Sequence, residues 1–238
     1  MIHTNKTFIK AGMRMSDLID ENPALLLLLE HFGLDPLVHD MTVSELCQFH
    51  DLPLDLFICI ANLYNKFSPV ITLVGSEKEI HTITQFLNNS HRYYKEEKYP
   101  EIQGLIQLMN EHNKSPEIRL LGSFFNEYFT EVLEHLEYED RIVFPYIKAL
   151  IHKSTTLTLK EFAGTFSVKE YRDHHTDIES KLIELKNLLV KHIPVQNDKI
   201  LRRKLLVSLF ELEYDLNIHT RIEDHILVPL VKKLEKQA

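Results

Sequence analysis

At 238 residues the chain has room for one large or two modest domains, and its 44% hydrophobic and 26% charged residues are those of a globular protein that can bury a core. Its 6 glycines, against a usual share of about 7%, argue against many-turned β-sandwiches and glycine-rich nucleotide loops, while 14 histidines against 2 cysteines favour imidazole over thiolate for any bound metal. A net charge of −8, with no basic run beyond Arg202-Arg203-Lys204, argues against nucleic acid.

The most apolar run, Ala24 to Leu29, falls far short of the roughly 20 residues needed to cross a bilayer, and no secretory signal opens the chain. Cys47 and Cys59 fit no metal or redox spacing and are read as buried thiols, so the expected location is a reducing cytoplasm.

In chain order, Ser16 and Asp17 are expected to cap a short helix that Pro23 ends. A second helix is expected from Ala24 to Phe32, stopped by Gly33. Thr42-Val43-Ser44-Glu45 has the pattern of a capping box opening a third, and Pro53 starts a fourth that runs to about Lys66. These form a small helical module over residues 1–68, followed by a linker at 69–76. Four long amphipathic patterns then fill 77–238. The first runs from Ser76 to about His112 with a kink at Pro100, and the second from Glu117 to about His152. After a loop with a short helical piece near 157–162, the third runs from about Ser167 to His192 and the fourth from Asp198 almost to the end. Short connections between long helices predict an all-α, up-down-up-down four-helix bundle.

The fourth helix carries Leu209, Leu212, Leu216, His219, Glu223, Ile226 and Leu230 on one face, so a His and a Glu stand one turn apart within an apolar stripe. The second helix repeats this with Tyr128, Val132, His135, Glu139, Ile142 and Tyr146. Aligning the two segments matches His135 with His219, Glu139 with Glu223, Asp140 with Asp224, Ile142 with Ile226 and Pro145 with Pro229. His91 and His175 stand the same 44 residues before His135 and His219. His175 continues a stripe of Tyr171, Ile178, Leu182, Leu185 and Leu189. His91 lies with Tyr94, Ile102 and Leu105, in a stripe interrupted by Lys95 and Lys98.

Burying a carboxylate without compensation costs several kcal/mol, so two glutamates in apolar stripes need a partner charge. Four imidazoles and two carboxylates suit a dinuclear site of iron, manganese or zinc. The pseudo-twofold would give each metal two histidines, with both glutamates shared. Positions would remain for an oxo or hydroxo bridge and a small exogenous ligand.

The His…His-x-x-x-Glu repeat, ending each time in Glu-Asp-x-Ile-x-x-Pro, resembles the hemerythrin-like, or HHE cation-binding, domain over about residues 77–235. The front module, with Ser16-Asp17-Leu18-Ile19 and His31-Phe32-Gly33-Leu34-Asp35, is similar to that of the bacterial repair-of-iron-centres proteins. That resemblance implies a non-haem di-iron centre, oxo- or hydroxo-bridged, with His91, His135, Glu139, His175, His219 and Glu223 as ligands and manganese or zinc as lesser alternatives. It also implies oxygen and nitric oxide as ligands, damaged iron–sulfur proteins as partners, and a role in oxidative or nitrosative stress. The chain departs from the repair proteins in one respect: Asp35 is followed by Pro36-Leu37-Val38-His39 and no cysteine pair.

Other residues keep alternatives. His174 could replace His175, and His112 could reach the site edge or sit exposed at a helix end. Asp140 and Asp224 fit either a partner for a ligand imidazole or a solvated acid, and Tyr128 and Tyr146 fit pocket or core. His31, His39, His50 and Cys47 make no coherent metal set. Three functions remain in view: an iron protein of stress response or cluster repair, a reversible oxygen or nitric oxide sensor or carrier, and an interaction protein with a structural metal.

Overall fold

The computed structural model describes residues 6–68, 73–151, 178, 180–194 and 198–235. Residues 69–72 of the expected linker, the piece near 157–162, the start of the third long helix, Tyr171, His174 and His175 lie outside the described residues. Among those described, all regular structure is helical except one isolated antiparallel bridge, Arg14 to Thr42. None of the described helices is long and apolar enough to cross a membrane.

The chain groups into two compact units. One comprises Met1–Ser90, Ile147–Ser154 and Ile218–Ala238, the other His91–Tyr146 and Thr155–Asn217. In the first unit, α1 (Met15–Glu21), α2 (Leu25–His31), α3 (Val43–Phe49) and α4 (Leu54–Tyr64) come in quick succession. Helix α1 starts earlier than its polar residues suggest. Met15 N–H bonds the carbonyl of Met41 at 3.0 Å, so the backbone bridge sets the start, and Ser16 and Asp17 fall inside the first turn. Gly33, at φ 72°, closes α2 in the left-handed conformation, with Leu34 N–H reaching back to the carbonyl of Leu29. The capping box forms as expected: Thr42 accepts from Glu45 N–H, and Glu45 accepts from Thr42 N–H.

Three buried asparagines tie this unit together, a feature the sequence pattern did not announce. Asn62 bonds both the N–H and the carbonyl of Ile9, at 2.8 and 3.0 Å, as a strand neighbour would. Asn22 donates to the Tyr64 carbonyl and to Asn65, and Asn65 donates to the Thr7 carbonyl. The backbone groups of the entering chain are thereby satisfied without a sheet. Most of α5 (Glu77–Tyr93), as far as Ser90, belongs to the same unit. Ser76 caps it, with Glu79 reaching back to the N–H groups of Gly75 and Ser76. Phe86 of α5 packs edge-on against Phe32 and His31, so the front helices and the start of α5 share one core.

The second unit contains α6 (Tyr99–Asn113), α7 (Pro116–Tyr138), α9 (residues 180–187) and most of α10 (Lys199–Ile222). Tyr94, Tyr99, Phe125, Tyr128, Leu185 and Leu209 fill its core. Ser115 caps α7, Pro116 occupies its first position, and Asp198 caps α10, so the expected breaks are where the helices stop. Lys98, which looked out of place in the His91 stripe, is buried between Glu101 and Glu211 at 2.9 and 2.7 Å. Burial alone would lower its pKa, but the two carboxylates outweigh that and raise it.

Among the described residues the long helices change pitch at four places. π-helical turns occupy Tyr94–Lys98, Glu139–Val143, Leu188–His192 and Glu223–Leu227, the last leading into α11 (Val228–Glu235), as Glu139–Val143 leads into α8 (Phe144–Ile151). Each turn is followed by a proline two positions after its last residue: Pro100, Pro145, Pro194 and Pro229. Proline has no N–H to give to the carbonyl four residues back, and its ring crowds that carbonyl. The chain responds by widening. In every case the residue before the proline (Tyr99, Phe144, Ile193, Val228) donates to the carbonyl five residues back. At Pro100 the expected kink therefore takes this form. The extra residue also moves the buried face: Val143 is buried where the α-helical spacing called for Ile142, which is half-buried.

Cys47 and Cys59 are both buried, and burial pushes their thiols up to about 12 and about 11. Neither is a reactive thiolate at neutral pH. Alkylation at pH 8 is expected to leave both cysteines unmodified in the native protein and to label both in denaturant, read by intact mass.

Candidate metal centre

The two helices of the internal repeat deliver their histidine and glutamate in the same way. His135 and His219 lie in the last turns of α7 and α10, while Glu139 and Glu223 open the π-helical turns that follow. The prolines six positions after the glutamates thus set the local pitch at the acid itself. The N–H of Phe144 holds the carbonyl of Glu139, and that of Val228 holds the carbonyl of Glu223.

In the second unit, Glu139 is fully buried between two imidazoles. His91 Nε2 stands 3.1 Å from Oε2, and His135 Nε2 stands 3.1 Å from Oε1. The other nitrogen of His91 bonds Asp140, Nδ1 to Oδ1 at 2.7 Å, and Lys95 Nζ meets the remaining Asp140 oxygen at 2.7 Å. A carboxylate only accepts, so Nδ1 of His91 carries the proton and Nε2 faces Glu139. Phe144 stacks on the His91 ring at 5.5 Å. Burial opposes ionisation of Asp140, but its bonds to His91 and Lys95 outweigh that and hold its carboxyl below the usual aspartate range.

In the first unit, Glu223 is also fully buried, with His219 Nε2 at 3.2 Å from its Oε1. Here Nδ1 of His219 meets the Ser90 hydroxyl at 2.9 Å. That hydroxyl donates to the Leu87 carbonyl at 2.7 Å, so it accepts from the ring and again leaves Nε2 towards the acid. Within each unit a histidine and a glutamate therefore offer ligand atoms within 4.8 Å of one another, His91 with Glu139 and His219 with Glu223, all buried.

The donor set fits a metal cation. Imidazole nitrogens turned towards a fully buried carboxylate need either an added proton or a divalent or trivalent ion to balance the charge. Nitrogen with carboxylate oxygen, and no thiolate, is the set that iron, manganese or zinc accept.

Residues 82–231 match the hemerythrin HHE cation binding domain. The chain belongs to that family. No curated protein matches it. Hemerythrin domains bind metal, typically iron, and the buried His/Glu groups are compatible with that. The all-α hemerythrin-like architecture, with a helical front module, agrees with the expectation from sequence.

Of the six residues read as ligands in this hemerythrin domain, His91, His135 and Glu139 come together in one unit and His219 and Glu223 in the other. His175 and its alternative His174 lie outside the described residues. His112 takes no part: it is exposed at the end of α6 and bonds Asp198 at 2.6 Å. Tyr128 is a core residue, its hydroxyl accepting from Tyr99 at 3.4 Å. His31 packs on Phe86, and His39 and His50 are exposed. Apolar periodicity did not assign a part at the site to Ser90 or Lys95. Both are brought to the histidines by helix packing, and only an i,i+4 spacing to His91 could have pointed to Lys95.

Pro145→Ala restores an N–H that can close an α-helical turn on Arg141 and so rotates Glu139 away from its two histidines. Metal affinity is expected to fall by about tenfold with helix content unchanged, measured by chelator competition and circular dichroism. Pro229→Ala is expected to do the same through Glu223.

Proposed function

We propose that this hemerythrin domain holds two iron ions, one by His91, His135 and Glu139, the other by His219 and Glu223 together with His175. The observation that carries this is Glu139, fully buried with one oxygen towards each of two histidines, on a helix whose His-x-x-x-Glu-x-x-x-x-x-Pro pattern recurs at His219, Glu223 and Pro229. Bound iron would supply one-electron chemistry and open positions for oxygen or nitric oxide. The chain's own part is to orient and to exclude. Asp140 and Ser90 fix which nitrogen each histidine presents, Phe144 covers the His91 ring, and the burial of both glutamates keeps bulk water from the acids.

The biological role that fits is a cytoplasmic response to oxidative or nitrosative stress, including recovery of damaged iron–sulfur proteins. A second reading, reversible binding of oxygen or nitric oxide without turnover, is favoured by one specific observation. No cysteine pair stands in Pro36-Leu37-Val38-His39 directly after Asp35, and Cys47 and Cys59 are buried with raised pKa values, so the thiols that repair would draw on are not supplied, while reversible binding needs none.

Protein produced with iron is expected to contain about two irons per chain and to show the charge-transfer bands of a diferric centre. His135→Ala and His219→Ala should each lower the iron content, and the double variant should bind almost none; unchanged iron in the double variant refutes the site. Incubation with a nitrosylated iron–sulfur enzyme separates the two roles. Recovered activity supports repair, and an optical change with nitric oxide but no recovery supports binding alone.

A further inference from the structure

Helix α10 is apolar on two faces. Leu205, Leu209, Leu212 and Leu216 turn inward and are buried. A second row, Ile200, Val207, Phe210 and Tyr214, recurs at spacings of seven, three and four along the same helix. Ile200 and Val207 are 61% and 60% exposed, and Phe210 is 42% exposed. Lys186 of α9 lies over the Phe210 ring, its ammonium 4.7 Å from the centroid, so α9 runs beside this row. The exposed Ile183 and Val190 stand before and after Lys186 and widen the apolar face. Scattered apolar residues on a surface are ordinary, but a heptad-spaced row flanked by charges is the pattern of a helix that meets another helix. Those charges are unevenly divided. Lys199, Arg203 and Lys204 are exposed at the start of α10, and Glu211 and Glu213 lie further on, partly exposed. Glu211 shares Lys98 with Glu101, and Glu213 meets Lys186, so the acidic stretch keeps a net negative charge.

We infer that this face of α10 pairs with the same face of a second copy of this chain, the two helices running antiparallel about Val207. Antiparallel pairing sets the basic start of each helix against the acidic stretch of the other. With Val207 meeting its own copy at the dyad, Ile200 comes level with Tyr214 of the second copy, and Lys204 with Glu211. A parallel pair would lay basic start on basic start, and like charges in apposition are costly. The contact is isologous: each copy gives the same residues, and the pair is closed. From Ile200 to Tyr214 the seam is about 21 Å long. One helix pair with α9 residues at its margin makes a small interface, under about 1,200 Å² in total, so the dimer should form at micromolar concentration and come apart on dilution. The pairing uses none of the buried histidines or glutamates and does not depend on the iron reading.

Sedimentation velocity of the full chain between about 1 and 100 µM should show a monomer passing into a dimer, and the dimer should weaken severalfold as salt is raised. Val207→Asp and Lys204→Glu, both at exposed positions, should keep the melting temperature, and because each change acts twice in the pair, each should weaken the dimer by about tenfold or more. Cross-linking reads the direction. With Val207→Cys the two thiols meet at the dyad, and a mild oxidant should join the chains; with Ile200→Cys they stand about 21 Å apart and should not join. Cys47 and Cys59 are buried and stay out of that reaction. A wild type that stays monomeric at the highest concentration overturns the inference. So does a dimer that persists unchanged in either charged variant, which would place the contact on another face. Joining through Ile200→Cys marks parallel pairing and overturns it as well.

Discussion

The structure depends on the burial of two carboxylates. Glu139 and Glu223 have no measurable exposure, in helices whose neighbouring positions are apolar. An ion in such a place costs several kcal/mol unless opposite charge stands close by. The histidines alone meet that need only when protonated. A cation would meet it at any pH at which the imidazoles are neutral, so a bound metal would add to the stability of the fold as well as supply its chemistry. Much else follows from holding these acids in place: helices long enough to carry both ends of each motif, aromatic cover over His91, and polar supports on the outer nitrogens.

The prolines give the helices their local shape at the site. A proline inside a helix is usually a cost, because it removes a hydrogen bond and crowds the preceding turn. Here that cost is met by one π-helical turn before each of Pro100, Pro145, Pro194 and Pro229. Two of those turns begin at the buried glutamates, Glu139 and Glu223. A widened turn inserts one residue into the helical count, so the side chains before and after it are not on the same face that a 3.6-residue period assigns. The exchange of Ile142 for Val143 as the buried residue is the direct trace of that shift. The same device that accommodates proline therefore fixes the angle from which each glutamate leaves its helix.

The front of the chain is organised differently. Its helices are short, and each buries only a few side chains, so helix propensity contributes little. Asparagine side chains and backbone caps carry the connections instead, with Asn62 standing in for a missing strand and Glu79 gathering the N–H groups at the start of α5. Its core is continuous with the start of that helix through Phe32, Phe57 and Phe86. The thiols of this unit are packing residues.

The sequence alone determined the class of the fold, the ends of most helices and the chemistry of the donors. Apolar periodicity, capping residues and the spacing of His to Glu are local properties, and helices express them locally. That is why the His135–Glu139 and His219–Glu223 pairs and the capping box at Thr42 were legible. Only the tertiary structure decided what stands behind each histidine. Ser90 reaches His219, and Asp140 reaches His91, across long separations in the chain, and no periodicity encodes such meetings. It also decided that His112 pairs with Asp198, that Lys98 is buried between two acids, and that Val143 rather than Ile142 faces inward. Each of these is set by which helices pack together and by the register of a widened turn, and both are properties of the assembled chain.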